Sequence, residues 1–179
     1  MGFAIPVSGT IGAARKAAKL GYPSIAFSGK SGHHSSWHQD PVPASSSLYA
    51  ALTAKFVNIM KAHDGPYMEP HTLVNVNYPH THRHSDGKIV CTHVDDFDFI
   101  LTASSKINSR IVHHRDEWTC GTTTLPRDEH VVDRKDGCYV SVTVMNHHLD
   151  NGNATQQAVV KEALRPLLKC LPDARSDEL

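Results

Sequence analysis

The chain lacks any excess of charge. Lysine and arginine number 18, aspartate and glutamate also 18, and the formal net charge is +0. That balance removes the electrostatic case for a nucleic-acid polymer or a membrane surface as partner. No hydrophobic run approaches the ~20 residues of a membrane span. The opening residues have neither the basic start nor the long apolar centre of a signal peptide. The Gly-x-Ser-x-Gly elbow of esterases is missing, and the loop Val7-Ser8-Gly9-Thr10 is not a Walker loop, since no Gly-Lys-Ser/Thr follows it. Cysteine occurs 4 times, at Cys91, Cys120, Cys138 and Cys170, with no C-x-x-C pair, which argues against a zinc ribbon. There is no internal repeat. What is present is 179 residues, one domain by length and long enough to bury a core. Histidine stands out: the 14 imidazoles can add positive charge below about pH 6.5.

An even number of dispersed cysteines suits two disulfides, and four buried free thiols are the alternative. Two further features point to the secretory route. Asn153-Ala154-Thr155 is an N-glycosylation sequon. The end of the chain, Ser176-Asp177-Glu178-Leu179, resembles an ER-retention tail with serine in place of the basic residue.

Residues 8–20 read as a helix, with Ala13, Ala14, Ala17 and Ala18 as strong formers and Gly21 as its stop. Residues 24–28 are a short buried strand, and 29–47 a long loop rich in Gly, Ser, His and Pro. A second helix spans 48–63, with Leu48, Leu52, Phe56, Ile59 and Met60 on one stripe. A strand follows at 72–77. Beyond Pro79 the pattern changes to short β-like runs at 88–94, 97–102, 131–132 and 139–145, expected to pair as antiparallel hairpins. A helix over 156–171, interrupted by Pro166, closes the chain. The expected architecture is α/β: residues 1–79 as the C-terminal half of a sheet domain, 80–172 as a β-rich extension with its closing helix, and 173–179 as a tail.

The run Ser8-Gly9-Thr10 opens directly into the first helix. A helix N-terminus presents unpaired N–H groups and partial positive charge, which suit phosphate, although serine there is as a rule simply an N-cap. His80, His82 and His84 alternate and could share a face, but the segment reads as a polar loop. His33, His34 and His38 lie in the loop after the first strand, where α/β sites gather. Asp95, Asp96 and Asp98 lack the glycine and the terminal glutamate of a calcium loop and read as a solvated turn.

With these segments placed, the chain resembles the SurE family, in particular its fungal secreted branch of acid phosphatases. The matching stretches are Ser8-Gly9-Thr10-Ile11-Gly12-Ala13-Ala14, Gly21-Tyr22-Pro23-Ser24-Ile25-Ala26-Phe27-Ser28-Gly29 and Leu73-Val74-Asn75-Val76-Asn77-Tyr78-Pro79. They continue with Phe97-Asp98-Phe99-Ile100-Leu101-Thr102, Thr119-Cys120-Gly121, Gly137-Cys138-Tyr139-Val140-Ser141-Val142 and Leu167-Leu168-Lys169-Cys170-Leu171-Pro172. The resemblance implies a Rossmann-type sheet and a phosphomonoesterase acting on nucleoside monophosphates or other small phosphate esters. It also implies a divalent metal, Mg or Mn, and a homo-oligomer. It places Ser8, Gly9 and Thr10 at the phosphate, favours two disulfides and implies a secreted protein. The working disulfide pairing is Cys91 with Cys120 and Cys138 with Cys170.

One departure matters. The family's metal ligands come from an Asn-Asp-Asp-Gly run, a nearby serine and an Asn-rich stretch ahead of the Ser-Gly-Thr loop, and none of these occurs in the chain. Asp40, Asp95 and Asp96 do not occupy matching positions. The expectation is therefore a chain equivalent to the C-terminal half to two thirds of such a protein, impaired as a phosphatase. The alternatives are an inactive remnant that associates with a full-length homologue, and an incomplete gene model.

Overall fold

The computed structural model describes residues 8–30, 36, 38, 40–81, 91–104 and 115–172. Its first element, α1 (Gly9–Lys19), is an alanine-rich helix whose Ile11, Ala14 and Ala18 face inward. Gly21, at φ 89, takes the left-handed turn that ends it. Strand β1 (Ser24–Gly29) follows, then α2 (Ala44–Lys61) and β2 (Thr72–Tyr78). A single 3-10 turn leads into β3 (Phe97–Thr102), and the short α3 (Asp128–Val132) precedes β4 (Cys138–Asn146). Helix α4 (Ala154–Ala163) comes last and stops short of Pro166, whose ring would clash with the preceding turn.

The four strands form one mixed sheet in the order β1-β2-β4-β3, and the α/β class expected from the sequence holds. The pairing of its second half does not follow expectation. Strands β3 and β4 are parallel, with Phe97 opposite Cys138, and α3 lies on the crossover between them. The antiparallel ladder is β2–β4. Residues 97–102 and 139–145 therefore extend the same sheet and do not make a hairpin with each other. Their apolar runs carry no sign of direction, because both ladder types bury valines equally well. Val131 and Val132, read as strand, lie in α3; Val94 opens the 3-10 turn, and residues 88–90 lie outside those described.

One face of the sheet is apolar across its centre. Val74, Val76, Val140, Val142, Phe99 and Leu101 pack there against Leu52, Phe56 and Met60 of α2 and Val160 and Leu164 of α4. The stripe 48-52-56-59-60 behaves as its 3.6-residue period requires, with Leu48 and Ile59 at the margin. The other face is covered by α1, over Ala26, Leu73 and Met145, and by α3, whose Val131 meets Ile100 and Tyr139.

Both disulfides exist, with connectivity different from the working pairing: Cys91–Cys138 and Cys120–Cys170. The parallel crossover explains the exchange. It sets Phe97, six residues after Cys91, beside Cys138. Leu168 bridges to Phe99 and Arg127 to Ala103, so the segments that carry Cys170 and Cys120 both run along the outer edge of β3.

Candidate functional site: the amino end of α1 and the polar face of the sheet

Ser8 caps α1. Its hydroxyl accepts from the Ile11 amide at 3.3 Å, and its carbonyl accepts from Gly12 N at 2.8 Å. The amides of Gly9 and Thr10 have no partner within the helix, as for any first turn. A side chain added at Gly9 or at Gly12 would meet nothing within 4 Å, so packing does not demand glycine at either position. Gly9 and Thr10 are exposed. The arrangement is an ordinary N-cap whose exposed first turn offers donors, since the Ser8 hydroxyl can donate while it accepts.

The helix runs antiparallel to β1. Ser24 Oγ donates to the Ala14 carbonyl at 2.7 Å, which fixes their relative height. From Ala14 back to Ser8 is a rise of ~9 Å, and the same distance along β1 is about three residues. Ser8 therefore stands level with Phe27 and Ser28, at the carboxyl ends of β1 and β2. That is where open α/β sheets gather their ligands.

The sheet beneath this end is polar. Two rows cross it on the α1 face: Ser28, Asn77 and Ser141 in one, Asn75, Thr143 and Thr102 in the next. Asn77 Nδ2 donates to Ser141 Oγ at 3.3 Å, and the hydroxyls of Thr102 and Thr143 lie 2.8 Å apart. Asn75, Asn77, Thr102, Ser141 and Thr143 are all buried. Lys30, one residue beyond β1 and on the same side, pairs with Asp133 at the end of α3. That ion pair ties the end of β1 to α3.

The opposite face of the same end is rigid. Tyr49 donates to the Pro79 carbonyl at 2.8 Å and stacks on Tyr78 with ring centroids 5.3 Å apart. Burial raises the Tyr78 phenol to about 12, against the opposing effect of its hydrogen bond to Thr53. Burial likewise raises Tyr49. Both remain neutral donors at any ordinary pH.

The gathered groups are hydroxyls, amides and one ammonium, a set that suits an anion. They do not suit a divalent cation: the one carboxylate near them, Asp133, is paired with Lys30, and the neutral amide oxygens of Asn75 and Asn77 supply no charge to hold the ion. Among the described residues, no group of three or more His, Cys, Asp or Glu side chains could hold a metal ion. His33, His34, His82 and His84 lie outside the described residues, while His38 and His80 are exposed. Asp95 pairs with Lys55 at 3.0 Å, and Asp96 caps the 3-10 turn. The amides of His93 and then Thr92 hold the Asp96 carboxyl below its ordinary value. Asp96 thus has a structural job, as a solvated turn requires.

Asn153 is exposed and is the N-cap of α4, in a reciprocal capping box with Gln156. The tail 173–179 lies outside the described residues. Sequence reasoning did not single out Lys30, Asn77 or Ser141 as site residues. Lys30 follows a strand directly, and the alternation Val140-Ser141-Val142-Thr143-Val144 already marks one polar face. Only the register brings these two signals to the same end of the sheet.

No helix among the described residues is long and apolar enough to cross a membrane. A family model described as "Survival protein SurE" matches residues 1–98. No curated protein and no solved structure matches the chain.

Proposed function

Because the chain belongs to the SurE family, we propose that it binds the phosphoryl group of a small phosphate monoester, such as a nucleoside monophosphate, at the amino end of α1. The family is one of metal-dependent phosphatases and nucleotidases. The observation that carries the proposal is the exposed first turn: Gly9 and Thr10, whose amides have no partner among the described residues, and two hydroxyls, level with the carboxyl ends of β1 and β2. The helix dipole and the donors act on the anion together. Lys30 supplies the nearby positive charge, at the expense of its pairing with Asp133. Asn77, held by Ser141, lines the floor beside it.

The residues of this site do not fit the family's metal, so no hydrolytic step is derived for the chain acting alone. Its expected turnover of p-nitrophenyl phosphate with added Mg or Mn is little or none, and robust turnover abolished by EDTA would overturn that. Binding is tested separately, by titrating inorganic phosphate into the wild-type chain and a Ser8→Ala/Thr10→Val double variant. A loss of roughly tenfold in affinity is expected, since a hydrogen bond to a charged group contributes about 1.5–3 kcal/mol. Equal affinities would remove the loop from the proposal.

A second reading is association with a full-length member of the family, and one observation favours it. Strand β1 ends the sheet, and no described strand pairs with its outer side. Co-purification with a family member that carries the metal ligands would support this reading, while a stable lone monomer would count against it. Two disulfides suit a secreted protein. Secretion, and a glycan on Asn153, are proposed on that basis; loss of apparent mass after enzymatic deglycosylation of the secreted chain tests both.

A further inference from the structure

The chain after α4 crosses the outer edge of β3. Leu167 is buried on the side covered by α2 and α4, with Leu168 packed beside it. Leu171 packs on the other side, against Ile100, Val131 and Tyr139. Between them Leu168 bridges to Phe99, and the Lys169 amide donates to the Phe99 carbonyl at 2.9 Å. Residues 167–172 thus form a strap from one face to the other. Cys170 lies on the strap, exposed, and is bonded to Cys120. Cys120 at φ 53 and Gly121 at φ 81 are the central residues of a tight turn. Thr119 and Thr122 close it by exchanging amide–carbonyl bonds of 2.9 and 3.1 Å. Positive φ at both central positions is the geometry of a two-residue hairpin. Cys120 is therefore at a hairpin tip, and it too is exposed.

The hairpin has its own anchor on α4. Gln157 accepts from Glu117 N at 2.7 Å and donates to Asp116 Oδ1 at 2.9 Å, and Lys161 pairs with Glu117 at 2.6 Å. The strap is held more lightly: Leu168 and Leu171 are only partly buried, and Lys169 and Cys170 are exposed. The bridge fastens this strap to the firmly held hairpin. The second bridge is unlike it. Cys91 is 6% exposed and Cys138 4%, and both belong to the core beneath α2 and α4.

We propose that Cys120–Cys170 is a site of thiol–disulfide exchange, open to a small dithiol in the folded protein while Cys91–Cys138 stays closed. Exchange begins with attack of a thiolate on a disulfide sulfur, so access decides which bridge reacts. One thiol of the dithiol loses its proton and bonds to either sulfur of the bridge. The other cysteine leaves as a thiolate and takes up a proton. The second thiol then loses its proton and attacks the dithiol's own sulfur in the mixed disulfide, and the remaining cysteine leaves in the same way. The products are two cysteine thiols and the dithiol oxidised to a cyclic disulfide, a transfer of two electrons. Reduction leaves the hairpin on α4 and frees residues 168–172, which uncovers the Phe99 carbonyl at the edge of β3. The inference does not rest on phosphate binding, which concerns the amino end of α1.

Timed reduction of the full chain by dithiothreitol, without denaturant and at neutral pH, tests it. Samples are quenched with iodoacetamide and the alkylated cysteines mapped by mass spectrometry. Cys120 and Cys170 are expected to be alkylated at least about tenfold sooner than Cys91 and Cys138. Alkylation of all four at one rate, or of Cys91 and Cys138 first, would overturn the exchange site. Amide hydrogen exchange of the half-reduced chain reads the release. Protection of Lys169 is expected to fall about tenfold while residues 116–118 and the centre of β4 keep theirs. Unaltered protection at Lys169 would overturn the release of the strap.

Discussion

Gly29 sits where a side chain has no room. A Cβ there would lie 2.4 Å from the ring of Tyr49, and that ring is pinned by its bond to Pro79 and its stacking on Tyr78. Gly29→Ala is therefore expected to cost about 1–3 kcal/mol, as overpacking does, read as a lower Tm with unchanged disulfides. An unaltered Tm would mean that the tyrosine pair yields. At Asn153 the expectation is smaller. Replacing the N-cap by alanine costs ~1 kcal/mol, whereas Asn153→Asp keeps the acceptor for Gln156 N and is expected to restore most of the loss. Thermal melts of the two variants separate capping from any effect of a glycan, because neither carries the sequon. Gly29 is legible as a loop residue, but its reason is not, because Tyr49 comes from a helix 20 residues away.

The elements divide by how local their causes are. Helix α1 announces itself through alanine, an N-cap serine and a terminal glycine, and its observed bounds match within a residue or so. Helix α2 begins four residues earlier than its apolar stripe, at Ala44, since Pro43 is compatible with a helix start and the serines that follow add no stripe. Strand direction has no such local cause. Whether β3 and β4 run parallel depends on the crossover through α3, and the disulfides follow from that choice. Each bridge closes a long loop, 47 residues for Cys91–Cys138 and 50 for Cys120–Cys170. Replacing either pair by serine is expected to cost about 2–4 kcal/mol. The two losses differ in place: Cys91/Cys138 frees the entry to β3 and β4, and Cys120/Cys170 frees residues 115–127 from the end of α4. Exchange protection in β3 for each double variant checks this, and equal protection everywhere would contradict it.

On the scale of the whole molecule, one sheet divides two unlike environments. Helices α2 and α4 seal an apolar face, while α1 and α3 flank a polar one that carries Asn77, Ser141 and Lys30. Among the described residues the sheet also ends at β1, whose outward amides at Ile25, Phe27 and Gly29 alternate with those bonded to β2. Such an edge pairs readily with another chain. The isolated protein is expected to associate with rising concentration, as read by sedimentation velocity; a single monomeric species with a sharp cooperative melt at every concentration would contradict it.

The sequence by itself determined helices α1, α2 and α4, the apolar stripe of α2, the alternation of β4, the N-cap at Ser8 and the lineage. These follow from periodicity, capping and motif order, which act over a few residues. Tertiary structure alone decided the parallel pairing of β3 with β4, the Cys91–Cys138 and Cys120–Cys170 bridges and the polar floor of Asn77 and Ser141. It alone also set Leu168 against Phe99 on the outer edge of β3. All of these join residues distant in the chain, and their partners are set by strand order and register, on which local propensity is silent.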